Sequence, residues 1–258
     1  MILFDNLPLW TAWPILLAIL LLAAGLGFRS FAWLARKADA SIEGPGPDTL
    51  LGATLGLLAL LLGFTFSLAM QRNEDRRDLV IQEANAVTTS WLRIQALDEP
   101  GRAQVANLFR QYVDARIDWS NVEDDRGMSA ALARSDRVRA ALWPAATAAL
   151  RTSPGVNDSD SMLNPLNAAF DAAASRVALR ADRLPEHIVN LMLLYTIISA
   201  ALIGWRLGGA GQRYRVATFL TLLLLTLAIT AIVDLDRPRS GNIMISQKPL
   251  VDARAQMR

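Results

Sequence analysis

Leu50–Met70 reads LLGATLGLLALLLGFTFSLAM, 21 residues without a charge, and Gln71–Leu97 follows as QRNEDRRDLVIQEANAVTTSWLRIQAL. A hydrocarbon core of roughly 30 Å takes about 20 helical residues at a rise of ~1.5 Å each. The first stretch therefore suits a bilayer crossing. The second contains no Gly or Pro and half of it is polar, so the same helix is expected to continue into water as far as Leu97.

Three more runs match the first. Trp10–Phe28 has 19 residues without a charge, and Ile188–Trp205 and Val216–Val233 have 18 each. A charge at mid-bilayer costs about 2.5–3.5 kcal/mol on insertion scales. Four such runs, in a chain with 26 Lys and Arg and 24 Asp and Glu, imply selection for lipid. A buried helix of a water-soluble protein would show a polar stripe, and Leu220–Leu227, LTLLLLTL, shows none. The leader MILFDNLPLW carries an acid and no Lys or Arg, so the first run is expected to stay attached as a crossing rather than serve as a signal peptide.

The predicted fold class is all-α: a four-helix transmembrane protein with a helical soluble insert between crossings two and three. Residues 1–70 hold the first two crossings, about 10–28 and 50–70. Residues 71–187 form the soluble helical domain, 188–233 hold the last two crossings (about 188–205 and 216–233), and 234–258 form a tail packing on the soluble domain. Within the insert, Leu79, Ala84 or Val87, Trp91 and Leu92 mark the buried face of the first helix. Asp98–Gly101 breaks it. Arg102–Trp119 resumes with Val105, Leu108, Phe109, Tyr112 and Val113 at helical spacing. Further helices are expected over Met128–Leu150, with a kink at Pro144, and over Pro165–Leu184. Thr152–Asn164 and Asn121–Gly127 read as polar loops, and Glu123, Asp124 and Asp125 lack the alternation a calcium loop requires. In the tail, Ile243, Met244, Ile245, Pro249, Leu250 and Val251 are apolar enough to pack on the insert.

Composition excludes several chemistries. With no Cys and one His, a thiolate site, a disulfide and a histidine-rich metal centre are ruled out. No phosphate loop, HExxH, GxSxG or dinucleotide turn is present, so neither an enzyme nor a cofactor is expected. The net charge of +2 gives no reason to expect nucleic acid, while a pI of about 9.4 suits anionic lipid headgroups. The lipid bilayer is thus an expected partner. Gly208–Gly211 reads as a turn between crossings.

The second crossing carries the candidate site. Gly52, Gly56, Ala59, Gly63 and Ser67 form a small-residue stripe that lets a helix approach closely, and packing within the subunit is the plainer reading. Leu60 and Phe64 stand one turn apart, and apolar constrictions can gate a pore by dewetting. At the membrane edge Arg72, Asp234, Asp236 and Arg237, with Arg239, are candidates for a charge network. Of the near-membrane cations, the larger number lies on the insert's side, which favours a cytoplasmic insert; the opposite side has fewer, in shorter loops.

LLGFTFSLAMQRNEDRRDLVIQEANAV, residues 61–87, and DLDRPRSGNIMISQKPL, residues 234–250, resemble the bacterial bestrophin-like membrane proteins and, more distantly, the bestrophin anion channels. The resemblance covers nearly the whole chain. It implies a multi-pass protein of the bacterial inner membrane and a homo-oligomer, a pentamer if channel-like, with anions as its cargo. In the channels the neck is lined by apolar residues of the second crossing, a turn apart, ending eight residues before an Arg. That pattern falls on Gly56, Leu60, Phe64 and Arg72. The chain departs from it where Asn73 and Glu74 replace a pair of aromatics and where Gly56 replaces a bulky residue. The acidic calcium clasp of the animal channels has no equivalent. The competing function is a non-conducting membrane scaffold or sensor whose soluble domain binds a partner, consistent with crossings that lack strongly polar side chains.

Overall fold

The computed structural model describes residues 9–37, 46–122, 124–153, 159–209, 215–237 and 243–257. These form helices α1 Leu9–Lys37, α2 Gly46–Ile94, α3 Gly101–Asn121, α4 Asp125–Arg151, α5 Ser159–Ala181, α6 Glu186–Gly209, α7 Arg215–Asp236 and α8 Lys248–Ala255, with no strand among the described residues. Four helices, α1, α2, α6 and α7, are long and apolar enough to cross a membrane. The protein is an all-α membrane protein. By internal contacts it divides into one unit from Met1–Arg72 and Arg183–Ile243 and another from Asn73–Asp182 and Met244–Arg258.

In the first unit α1 packs chiefly on α6 and also on α7. Leu16 and Leu20 of α1, Ala69 of α2, Met192 of α6, and Leu222 and Ile229 of α7 share its core. The α1–α6 contact is made by backbone. A Cβ added at Gly27 would fall on the Ala201 carbonyl, one at Gly204 on the Ala24 carbonyl, and one at Gly208 within 2.9 Å of the Phe28 carbonyl. Helices have no hydrophobic drive toward one another in lipid, so closeness of this kind supplies the attraction. Phe31 and Trp205 close the same contact edge to face, with ring centroids 5.4 Å apart. Gly208 and Gly209 are therefore helical, which corrects the turn expected there; Ala210 and Gly211 lie outside the described residues. The buried hydroxyls of Thr196 and Thr226 donate to Met192 and Leu222 carbonyls one turn back, at 2.7 and 2.8 Å.

The second unit buries Val87, Ile94, Val105, Phe109, Leu142 and Leu166, with Leu250, Ala253 and Met257 from the C-terminal segment in the same core. Tyr112 meets Phe170 edge to face at 5.1 Å. Arg254 of α8 forks onto Asp114 of α3 at 2.7 and 3.0 Å. Four details differ from expectation. Leu92 faces outward, because the buried stripe of α2 runs through Val80, Ala84, Val87, Trp91 and Ile94 instead. Ile243, Met244 and Val251 are exposed, so Leu250 anchors the tail with the unforeseen Ala253 and Met257. α5 begins six residues earlier than expected and ends at Ala181, where Arg76 takes its free carbonyls, donating to Leu179 at 3.3 Å and Asp182 at 2.7 Å. α4 begins at Asp125, three residues before the expected start at Met128, with Pro144 inside it, and Asp124 caps it by accepting the Gly127 amide at 2.8 Å. Glu123 lies outside the described residues.

Candidate functional site

The membrane part of α2 has two faces. Leu58, Thr65 and Ala69 are buried, and Leu61, Leu62 and Leu68 pack on the core of the first unit. The opposite face carries Gly52, Gly56, Gly63, Leu60 at 54% exposure and Phe64 at 67%. Only 17% of the apolar window of α2 is buried within the chain, against 39% for α1, so α2 is the crossing with the most surface to offer. Nothing among the described residues lies within 4 Å of a Cβ placed on Gly52, Gly56 or Gly63. Close helix approach within the first unit is made instead at Gly27, Gly204 and Gly208. Exposure alone does not select Leu60 and Phe64, since Leu57 and Phe66 are exposed too. What singles them out is their register with Gly56 and Arg72.

At the end of α7, Asp234, Asp236 and Arg237 are all buried, and Arg72 is half-buried. Asp236 Oδ1 accepts the Leu184 amide at 2.9 Å, tying the segment before α6 to the end of α7. Arg72 Nη1, Asp236 Oδ2 and Arg237 Nη2 are shielded from solvent. Arg239 lies outside the described residues.

The second unit holds a buried ion cluster that sequence reasoning missed. Glu83 of α2 is 0% exposed, Arg116 of α3 is 1% and Arg176 of α5 is 7%. Glu83 Oε1 accepts from Arg116 Nε at 2.6 Å and Oε2 from Arg176 Nη1. Arg176 Nη2 also donates to Ser120 at 3.0 Å and to Gln247 at 2.6 Å, so the C-terminal segment closes the cluster. The Trp119 ring stacks under Arg116, Arg176 and Arg180 at 4.5, 5.4 and 4.9 Å. Burial, the largest influence, lowers the Arg176 pKa, and Glu83 opposes it. The signal was present in the pattern. Each of the three residues falls on the apolar stripe of its helix: Glu83 with Val80 and Val87, Arg116 with Tyr112 and Val113, Arg176 with Ala172 and Ala173. A charge on a buried stripe demands a partner.

A family profile described as a Bestrophin-like domain matches residues 18–250. Among curated proteins none matches. Two solved structures, each a single-substitution variant of a bestrophin homologue from Klebsiella pneumoniae, share the fold. One is 14% identical with a TM-score of 0.69, covering 97% of this chain and 100% of that one. The other is 15% identical with a TM-score of 0.66, covering 94% and 98%.

Proposed function

Because the chain belongs to the bestrophin-like family, we propose that it is one subunit of an oligomeric ion channel, with anions as its cargo and Gly56, Leu60 and Phe64 of α2 at the neck. The observation that supports this reading is the outward face of α2, where Gly52, Gly56 and Gly63 have no neighbour among the described residues and Leu60 and Phe64 are exposed beside them. Several copies arranged around an axis would turn those faces inward. A ring of Leu60 and Phe64 side chains then forms a low-dielectric constriction, which strongly hydrated ions cross at high cost and weakly hydrated ones at less. Arg72, Asp234, Asp236 and Arg237 form a charge network at the membrane edge in the same proposal.

The test is flux from liposomes holding the purified protein. Iodide or thiocyanate is expected to leave faster than chloride, and Phe64→Ala to raise the rate several-fold. No flux from either protein ends the proposal. Subunit number is an independent check, with five expected. The non-conducting scaffold draws on the same crossings, whose Thr65, Thr196 and Thr226 hydroxyls bond back to their own helices and offer an ion nothing. A monomer or dimer without flux would leave that reading standing. In the same proposal the second unit lies on the cytoplasmic side. The chain has no Cys, so a single Arg134→Cys label on exposed α4 should react with an impermeant maleimide only after the membrane is opened.

A further inference from the structure

The second unit contains a half-open cavity that the channel reading does not use. It lies among α3, α4 and α5, measures about 190 Å³, and is lined by Tyr112, Arg116, Ser135, Arg139, Phe170 and Val177. By liquid volume it would hold ~6 waters, which is the size of a small organic molecule.

Its walls divide by chemistry. Phe170 and Val177 make one side apolar. On the other, Tyr112, Arg116 and Ser135 are almost wholly buried, yet each brings a hydrogen-bond donor. Arg116 commits Nε to Glu83 and Nη2 to the Ala173 carbonyl at 3.3 Å, which leaves Nη1 for another acceptor. Neither the Tyr112 nor the Ser135 hydroxyl bonds to another described residue, and neither is sealed from solvent. Burial pushes the Tyr112 phenol well above its ordinary pKa, so it remains an O–H donor. The charges nearby do not balance. Arg116, Arg139 and Arg176 face Glu83 and Asp136, and Asp136 is taken by Arg139 at 3.3 Å. The lining itself carries Arg116 and Arg139 against Asp136 alone, so the wall is net positive beside three donors and an apolar side.

We propose that this cavity binds a small monocarboxylate with an apolar body, its carboxylate on Arg116, Tyr112 and Ser135 and its body against Phe170 and Val177. A dianion such as phosphate exceeds the single spare charge, and chloride leaves the apolar half unfilled. The proposal does not rest on conduction, since none of its residues is a neck candidate.

The experiment titrates the full-length protein in detergent micelles with benzoate by calorimetry, with its neutral isostere benzamide as the comparison. Benzoate is expected to bind saturably and benzamide at least about tenfold more weakly. Tyr112→Phe and Ser135→Ala, which leave the ion cluster intact, should each weaken benzoate by about tenfold, as the loss of a hydrogen bond to a charged group does. Absence of saturable benzoate binding overturns the proposal. So does equal binding of benzamide, or benzoate binding that neither substitution weakens.

Discussion

Gly27 and Gly204 in the first unit let two backbones meet where no side chain fits, whereas the second unit buries three charged side chains together, Glu83, Arg116 and Arg176. The difference follows from the surroundings. Between lipid-immersed helices burial of apolar surface drives nothing, so attraction has to come from van der Waals closeness, and glycine gives the most of it. In water the apolar core around Val87, Phe109 and Leu166 already drives folding. A buried ion cluster on top of such a core adds little net stability, but once formed it is costly to break. It also fixes which face of α2, α3 and α5 meets which.

The largest effect expected is on the cluster. Glu83→Gln leaves two buried guanidiniums without a counter-charge and should cost about 3–5 kcal/mol, the usual toll for removing one partner of a buried pair. Thermal unfolding of the second unit, followed by limited proteolysis, would read it. Replacing all three together, Glu83→Leu with Arg116→Met and Arg176→Met, should restore most of that loss, because no charge is then stranded. A triple variant as weak as the single one would show that the ion pairs, and not the stranded charges, carry the stability.

Next in size is the backbone contact. Gly204→Leu drives a side chain into the Ala24 carbonyl, and over-packing of this kind costs about 1–3 kcal/mol, at the upper end here because backbone cannot step aside. The yield of monodisperse protein in mild detergent should fall sharply. Gly56→Leu adds the same side chain to the same kind of helix with nothing among the described residues within 4 Å of its Cβ. The variant should fold as well as the parent and differ in flux or subunit number, in keeping with a face used between copies. A Gly56→Leu protein that fails to fold would remove the distinction between the two stripes.

These two stripes also mark what the sequence made legible. The four crossings could be read because charge is absent over each run, and the break at Asp98–Gly101 because Pro and Gly interrupt the helix there. Gly52 and Gly56 have the same spacing as Gly204 and Gly208, and spacing states only that a helix can be approached, not what approaches it. The approach to Gly204 comes from Ala24, 180 residues away in the chain, a pairing that no local pattern encodes. Likewise Glu83 and Arg176 sit 93 residues apart, and each read alone looks like one more charge on an amphipathic helix. Register on the buried stripe was the available signal, and it was overlooked because charges in a polar insert are usually solvated.

The smallest effect isolates the principle within a single helix. Gly25 and Gly27 both lie in α1, but a Cβ on Gly25 meets nothing within 4 Å among the described residues while one on Gly27 falls on the Ala201 carbonyl. Gly25→Ala should therefore leave stability unchanged or raise it by up to about 1 kcal/mol, the helix-propensity gain of Ala over Gly. Gly27→Ala should lose about 1–3 kcal/mol, since one methyl group forces α1 and α6 apart. Both substitutions change helix propensity equally, so the gap between them in steric-trap or detergent unfolding measures the backbone contact alone. If the two variants unfold together, the closeness of α1 and α6 is not what holds the first unit.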